Sequence, residues 1–490
     1  MPDTEPFAVL LLVIASVLLA AVLSNHITSW LSIPAPALFL VVAAVTVKVV
    51  PALHAPSNQT VQRVVTVSLV FVLFHGGMNI GWSRFRAAAA PIAITGVLGT
   101  FLVVVAMTVA ARLVTGLSWY FDALLATALA PTDPAVVFSV LGRNEVAGRS
   151  GTILEGESGA NDPVGISLMI ALITAGSLNT AALGHVGSEF ALQMAVGAAV
   201  GFVGGRALLV FIRRVPLPSE GLYPLRTAAS ALAIYAIASV AHGSGFLAVF
   251  VAGIAIGDAG APYKREVERF HSSLASLGEI VAFVVLGLTV DVNELARADV
   301  WIPGLALGVL LAIVVRPVLI GLCLLPARLQ RNERTFVLFA GLKGAVPILL
   351  GSFVLTAGIG HAQRLYDIVV VVVVFSVIVQ GTLVPAVSRL LRLPVESADL
   401  EPWALGMRVR DEPEGVYRFT VADHSFSDGR TVDDLAHVLD GAWVSMVVRD
   451  GQLLPLRGDA VLRGGDDVLV IAEAGRRTQL AVRFDAPSDA

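Results

Sequence analysis

Two aspartates stand in strongly apolar surroundings, and each is followed at once by a proline. The stretches read Ala130-Pro131-Thr132-Asp133-Pro134 and Glu157-Ser158-Gly159-Ala160-Asn161-Asp162-Pro163. An ionisable side chain at bilayer depth costs roughly 2.5–3.5 kcal/mol on insertion scales, so it marks a functional site by default. Carboxylate, hydroxyl and carbonyl oxygens are the ligands that hard cations prefer. The chemistry these residues suit is the holding and release of a small cation.

Spacing refines the reading. Residues four apart share a helical face, which aligns Glu157 with Asn161 and Ser158 with Asp162. Pro163 lacks an amide donor and frees the carbonyl of Gly159, while Pro131 and Pro134 free those of Thr127 and Ala130. Interrupted helices at membrane depth persist only where they line a cavity or are buried in protein. Two basic residues are placed to answer the acids. Arg316, in Val315-Arg316-Pro317, lies deep in an apolar run and needs a buried counter-ion. Lys343 lies in Gly341-Leu342-Lys343-Gly344-Ala345-Val346-Pro347, a second segment with its breakers clustered near the middle. A Gly/Pro-interrupted helix in each half of the chain points to an inverted-repeat transporter. Where such half-helices cross, Lys343 can offset a carbonyl end and Asp133 an amide end. The blander alternative is kinked helices with structurally paired acids, and basic residues that snorkel to the interface.

The elements that must position these groups are membrane spans. Hydrophobic residues make up 56% of the chain and charged residues 14%, with a mean hydropathy of +0.82, a polytopic membrane composition. About thirteen apolar runs approach the length needed to cross: 7–24, 34–51, 62–80, 88–112, 120–142, 150–176, 186–212, 224–242, 244–259, 273–291, 301–325, 334–357 and 365–391. Pro2, Asp3, Thr4 and Glu5 precede the first, with no basic residue, as expected of an uncleaved helix rather than a signal peptide.

Alternate connections are rich in basic residues: Arg84 and Arg86; Arg143 and Arg149; Arg213, Arg214 and Arg226; Lys264, Arg265 and Arg269; Arg328, Arg331 and Arg334. The other set holds only Lys48, Arg63, Arg112, Arg297 and Arg364. That asymmetry puts the N-terminus outside and the C-terminal region in the cytoplasm. The single Cys323 permits no disulfide framework, and the nine histidines lack ligand spacing. His75, between Phe74 and Gly76, reads as a packed polar residue. No basic aromatic patch suggests nucleic acid.

After Leu393 the character changes. Residues 394–411 read as a polar linker. Beyond them come strands at 416–421, 442–448, 452–456 and 468–472, a helix at 431–439 capped by Thr431, and an Asp450-Gly451 hairpin turn. The expected organisation is a membrane domain over 1–393, a small cytoplasmic α/β domain over 401–476 and a tail over 477–490.

These motifs resemble a known family. Glu157-Ser158-Gly159-Ala160-Asn161-Asp162 is similar to the Glu-Ser-x-x-Asn-Asp signature of monovalent cation:proton antiporters, on their NhaP-like, electroneutral side. Thr132-Asp133-Pro134 resembles the first unwound helix of that family. Arg316-Pro317 resembles the arginine that pairs with the signature glutamate. Gly341-Leu342-Lys343-Gly344-Ala345 resembles the second unwound helix, with lysine where the family's pattern has arginine. The charge stays but the planar fork is lost. Residues 431–471 resemble an RCK C-terminal (TrkA-C) domain, a combination found in potassium/proton antiporters of the cell-volume-regulation type.

The resemblance implies an all-α polytopic protein with inverted repeats and two discontinuous crossing helices. It implies exchange of K⁺ or Na⁺ for protons at the bacterial inner membrane, a homodimer, and no cofactor. Asp162 would bind cation or proton in turn, with Asp133, Thr132, Ser158 and Asn161 in the same cation/proton-binding set. Asp133 and Lys343 would hold the crossing, and Glu157 with Arg316 would form a structural ion pair. The C-terminal domain would take a small, nucleotide-like cytoplasmic ligand. The competing reading is a ligand-gated cation channel with an RCK-type sensor. It lacks a filter sequence such as Thr-Val-Gly-Tyr-Gly.

Overall fold

The computed structural model describes residues 34–49, 56–141, 144–146, 149–327, 329–392, 395–397 and most of 415–484. The chain forms two compact units, divided between Trp403 and Ala404. The expected first span at 7–24, most of the linker at 394–411 and the Asp450-Gly451 turn lie outside the described residues.

The first unit is helical because apolar segments with no water to bond must satisfy their own backbones. In chain order it comprises α1 (Ala35–Val49), α2 (Asn58–Ala93), α3 (Thr100–Thr115), α4 (Trp119–Leu129) and α5 (Pro134–Leu141). Strand β1 (Asn144–Val146) precedes α6 (Arg149–Ala175), α7 (Thr180–Arg214), α8 (Leu222–Val240), α9 (Gly245–Gly257) and α10 (Lys264–Gly287). Then follow α11 (Val292–Leu295), α12 (Ala298–Leu310), α13 (Arg316–Cys323), α14 (Arg331–Phe339), α15 (Ala345–Thr356), α16 (Ala362–Phe375) and α17 (Gly381–Leu390). Strand β2 (Val395–Ser397) pairs antiparallel with β1, Asn144 opposite Ser397. Among the described residues, six helical segments are long and apolar enough to cross a membrane by themselves. Every expected span from 34–51 onward falls on a helix or on a consecutive pair of helices.

Helix α2 is a pair of this kind. Gly81 has φ 63°, which breaks the helix between the runs expected at 62–80 and 88–112. The Asp258 carboxylate fills the space a Cβ would need there. Before the break, α2 lies against α9 at backbone distance: a Cβ on Gly77 would strike the Phe250 carbonyl, and one on Gly253 the Phe74 carbonyl. Small residues at a membrane helix interface permit this approach.

Helix α6 departs from expectation. The interruption read from Pro163 is absent, and the helix runs unbroken from Arg149 to Ala175. Its neighbours pack closely on both sides of the proline, with Gly159 against the Phe250 ring and Gly165 against Pro131. A proline is tolerated in a membrane helix when surrounding protein compensates for the lost bond.

The second unit holds β3 (Val416–Thr420), α18 (Val432–Val438), β4 (Trp443–Arg449), β5 (Gln452–Leu453), β6 (Asp467–Ile471) and α19 (Arg477–Phe484). Its antiparallel sheet has the order β3-β6-β4-β5, with Val416 opposite Ile471 and a bulge between Val444 and Met446. Thr431 and Asp434 cap α18 reciprocally. These hydrogen bonds from Thr431 hold the exposed Asp434 carboxyl below its ordinary range. Residues 477–484, expected as tail, instead form α19. Leu480 and Phe484 lie four apart and both enter the core, where Phe484 stacks on Phe419 at 5.2 Å. Burying two large side chains is what orders this segment.

Candidate functional site

Two broken helices cross in the first unit. One is α4 and α5, joined through Ala130-Pro131-Thr132-Asp133; the other is α14 and α15, joined through residues 340–344. The Asp133 amide donates to the Leu342 carbonyl at 2.8 Å, tying the two unwound segments backbone to backbone. Carbonyl ends of α4 and α14 and amide ends of α5 and α15 therefore meet in one buried region.

Each end has a matching group. Lys343 Nζ donates to the carbonyls of Ala130 (3.0 Å) and Pro131 (2.9 Å), just past the end of α4. At the end of α14, Arg316 donates to the carbonyls of Leu338 and Val337, and Gln380 Nε2 to that of Phe339 at 2.6 Å. Asp133 Oδ1 accepts from the Ala135 amide at 2.9 Å, at the start of α5. The same carboxylate lies flush on Gly344, which opens α15, in space that any Cβ would occupy. Cations at carbonyl ends and an anion at amide ends are the arrangement helix dipoles favour.

Around this crossing the remaining groups are fixed. Arg316 grips Glu157 through two parallel bonds, Nη1 to Oε1 at 2.7 Å and Nη2 to Oε2 at 3.2 Å. Both side chains are almost wholly buried, at 4% and 2% exposure. The Lys343 amide donates to Ser376 Oγ at 3.0 Å. Helix α6 pins Thr132 at three atoms. Ser158 Oγ donates to its carbonyl (2.7 Å), Asn161 Nδ2 to its hydroxyl (2.8 Å), and its own amide to Asn161 Oδ1 (3.3 Å).

Asp162 differs from these. It is 6% exposed, and its Oδ1 is buried with no hydrogen-bond partner among the described residues. Asp133 and Lys343 are the charged groups whose fields act on it. A buried carboxylate oxygen without a donor is costly unless a proton or a cation completes it. The Ser158 and Thr132 hydroxyls also keep lone pairs beyond the bonds described, so neutral oxygens are at hand. Among the described residues no three His, Cys, Asp or Glu side chains converge as a metal centre. The donor set suits a weakly held, exchangeable cation rather than a resident metal.

The structure thus gathers Thr132, Asp133, Glu157, Ser158, Asn161, Asp162, Arg316 and Lys343 about one crossing. Sequence reasoning missed Ser376 and Gln380, neutral polar residues whose roles depend on which carbonyls they meet. It also missed Glu279, an acid inside the run at 273–291, which the rule applied to Asp133 would have flagged.

Residues 11–390 match the family described as sodium/hydrogen exchanger, transmembrane. The chain belongs to that family. The exchanger is accordingly a monovalent cation:proton antiporter of the NhaP type and not an enzyme, which leaves the channel alternative without support. It is 32% identical over 474 residues to the K⁺/H⁺ antiporter NhaP of Alkalimonas amylolytica, covering 96% of this chain and 82% of the relative. It is 29% identical over 465 residues to the K⁺/H⁺ antiporter NhaP2 of Shewanella oneidensis, covering 92% and 79%. The fold is similar to that of the sodium proton antiporter MjNhaP1 from Methanocaldococcus jannaschii at pH 8. There the TM-score is 0.63 at 20% identity, covering 78% of this chain and 98% of the other.

Proposed function

We propose that the exchanger moves K⁺ against H⁺ across the bacterial inner membrane, one for one, with Asp162 as the carboxylate for which the two compete. The observation that carries this reading is that Asp162 Oδ1 has no hydrogen-bond partner among the described residues, while Asp133, Lys343, Glu157 and Arg316 around it are all bonded. A carboxylate that binds either a proton or a cation, never both, is enough to couple the two fluxes. Thr132, Ser158 and adjacent carbonyls would complete the cation's oxygen shell. Asp133 and Lys343 would hold the half-helices in register, and Glu157 with Arg316 would keep the site assembled.

Potassium is favoured over sodium because both curated relatives described above are named K⁺/H⁺ antiporters. The charge pattern of the connections supports thirteen spans with the N-terminus outside and the second unit cytoplasmic. In this reading the protein is a homodimer, its site-bearing bundle moves against a dimer-forming one, and the second unit is a regulatory, RCK-like domain for a small nucleotide-like ligand.

The test is cation-induced dequenching in proteoliposomes carrying a pH gradient, run with Li⁺, Na⁺, K⁺ and Rb⁺. K⁺ should give the lowest half-saturating concentration, and Asp162→Asn should abolish the signal for every cation. Substantial exchange by a folded Asp162→Asn protein would refute the assignment.

A further inference from the structure

A polar cavity of about 800 Å³ lies in the first unit, lined among others by His75, Arg84, Asp258, Lys264, Glu268 and Ser272. Three of these come from the first turns of α10. At 3.6 residues per turn, Glu268, Ser272 and Glu279 fall within about 20° of one helical face, and Glu279 lies about 10 Å beyond Ser272. The stripe that walls the cavity therefore continues along α10 to an acid inside the membrane span.

Glu279 takes no part in the bonds that fix the crossing. Its Oε1 is buried without a hydrogen-bond partner among the described residues. Its carboxylate lies within electrostatic reach of Asp133, which is within reach of Asp162 in turn. Helix α10 also packs on α15, the half-helix that opens at the crossing. Asp162 likewise has a buried oxygen without a hydrogen-bond partner among the described residues, so two carboxylates with an unsatisfied oxygen lie within electrostatic reach of Asp133. In each, an alkali cation would supply the partner that a buried oxygen lacks.

We infer that Glu279 is a loading residue: it receives the alkali cation from the cavity and delivers it toward Asp162. This rests on Asp162 being the exchange carboxylate. A negative charge at the neck of a low-dielectric passage concentrates counter-ions, raising local concentration and arrival rates tenfold or more.

Full-length protein and its Glu279→Gln, Glu279→Asp and Asp162→Asn variants would be reconstituted, and exchange measured against K⁺ concentration. Glu279→Gln should raise the KM for K⁺ about tenfold, with most of the lost rate recovered at saturating K⁺. Glu279→Asp, which keeps the charge, should restore KM to within about threefold of the parent. A structural role would instead lower Vmax at constant KM. The second readout is the rise in Tm that K⁺ produces in detergent, which needs no turnover. Its midpoint should move to higher K⁺ in Glu279→Gln and back in Glu279→Asp. An unchanged KM and an unchanged Tm midpoint in Glu279→Gln would overturn the assignment, as would a Glu279→Asp protein as impaired as the amide. Retained exchange by Asp162→Asn would remove the underlying reading instead, so the two failures are told apart.

Discussion

Lys343 and Asp133 each reach across the crossing to the half-helix that belongs to the other. The lysine bonds the carbonyls of Ala130 and Pro131, and the aspartate lies on Gly344 while its amide donates to Leu342. Two opposite charges are thereby held close without pairing directly, each neutralised by dipole ends. A direct salt bridge would leave the buried ends of α4, α5 and α15 unanswered.

This exchange of partners makes Lys343 a structural cation whose loss strands two carbonyls. Lys343→Met should lower stability by about 1–3 kcal/mol, the usual penalty for unsatisfied buried polar groups. Lys343→Arg keeps the charge and should recover most of the loss, since a guanidinium can also donate to two carbonyls. Thermal unfolding in detergent reads both. An arginine variant no more stable than the methionine one would mean that shape, not charge, fills this place.

Glu157 and Arg316 are bonded bidentately and shielded from solvent. Removing either partner leaves an uncompensated buried charge, typically a loss of about 3–5 kcal/mol. Glu157→Ala and Arg316→Ala should each be strongly destabilised. The Arg316 change should be worse, because it also frees the Val337 and Leu338 carbonyls. The double variant should lose less than the sum. Additive losses would argue against an energetic coupling.

Much of this site was legible because its signals are local. Asp133 and Lys343 announce themselves as charges beside Gly and Pro in apolar runs, and dipole physics assigns each an end. From the residues alone the Glu157–Arg316 pairing was legible only as a counter-ion requirement, since 159 residues separate them, and it was the family resemblance that named the partner. Gln380 was illegible. Nothing local tells an amide in Val379-Gln380-Gly381 that it will meet the carbonyl of Phe339. Helix α6 continues through Pro163 because neighbouring helices pack closely against it, so the proline marked no interruption there. Helix α19 did carry a signal, Leu480 and Phe484 four apart, but one short apolar pair is a weak pattern outside its core.

Stoichiometry follows from Asn161. Its side chain is used up by Thr132, so the site carries a neutral amide where a second aspartate would add a titrating charge. Turnover should be electroneutral and insensitive to a membrane potential set with valinomycin, measured with Na⁺ or Li⁺ as cargo at fixed K⁺. Asn161→Asp should break the bond from Nδ2 to Thr132 and lower the rate at least tenfold, the scale on which slight misplacement of a binding group acts. A parent rate that scaled with the imposed potential would refute one-for-one exchange.

The second unit should regulate rather than transport. It has its own core, built on Phe419, Leu435, Val444, Val468 and Phe484, and the crossing residues all belong to the first unit. Such a unit can influence exchange only by favouring one conformation of the transporter over another, which requires a ligand or partner surface that distinguishes them. A chain ending at residue 403, the end of the first unit, should therefore still insert, fold and exchange cations, with maximal rate within about threefold of the parent, a shift of under 1 kcal/mol. Its dependence on pH or on added nucleotides should differ. The comparison is exchange activity of full-length and shortened proteins across pH, with insertion and Tm checked for both. A shortened protein that is well folded yet inactive at every pH would place the second unit within the transport machinery.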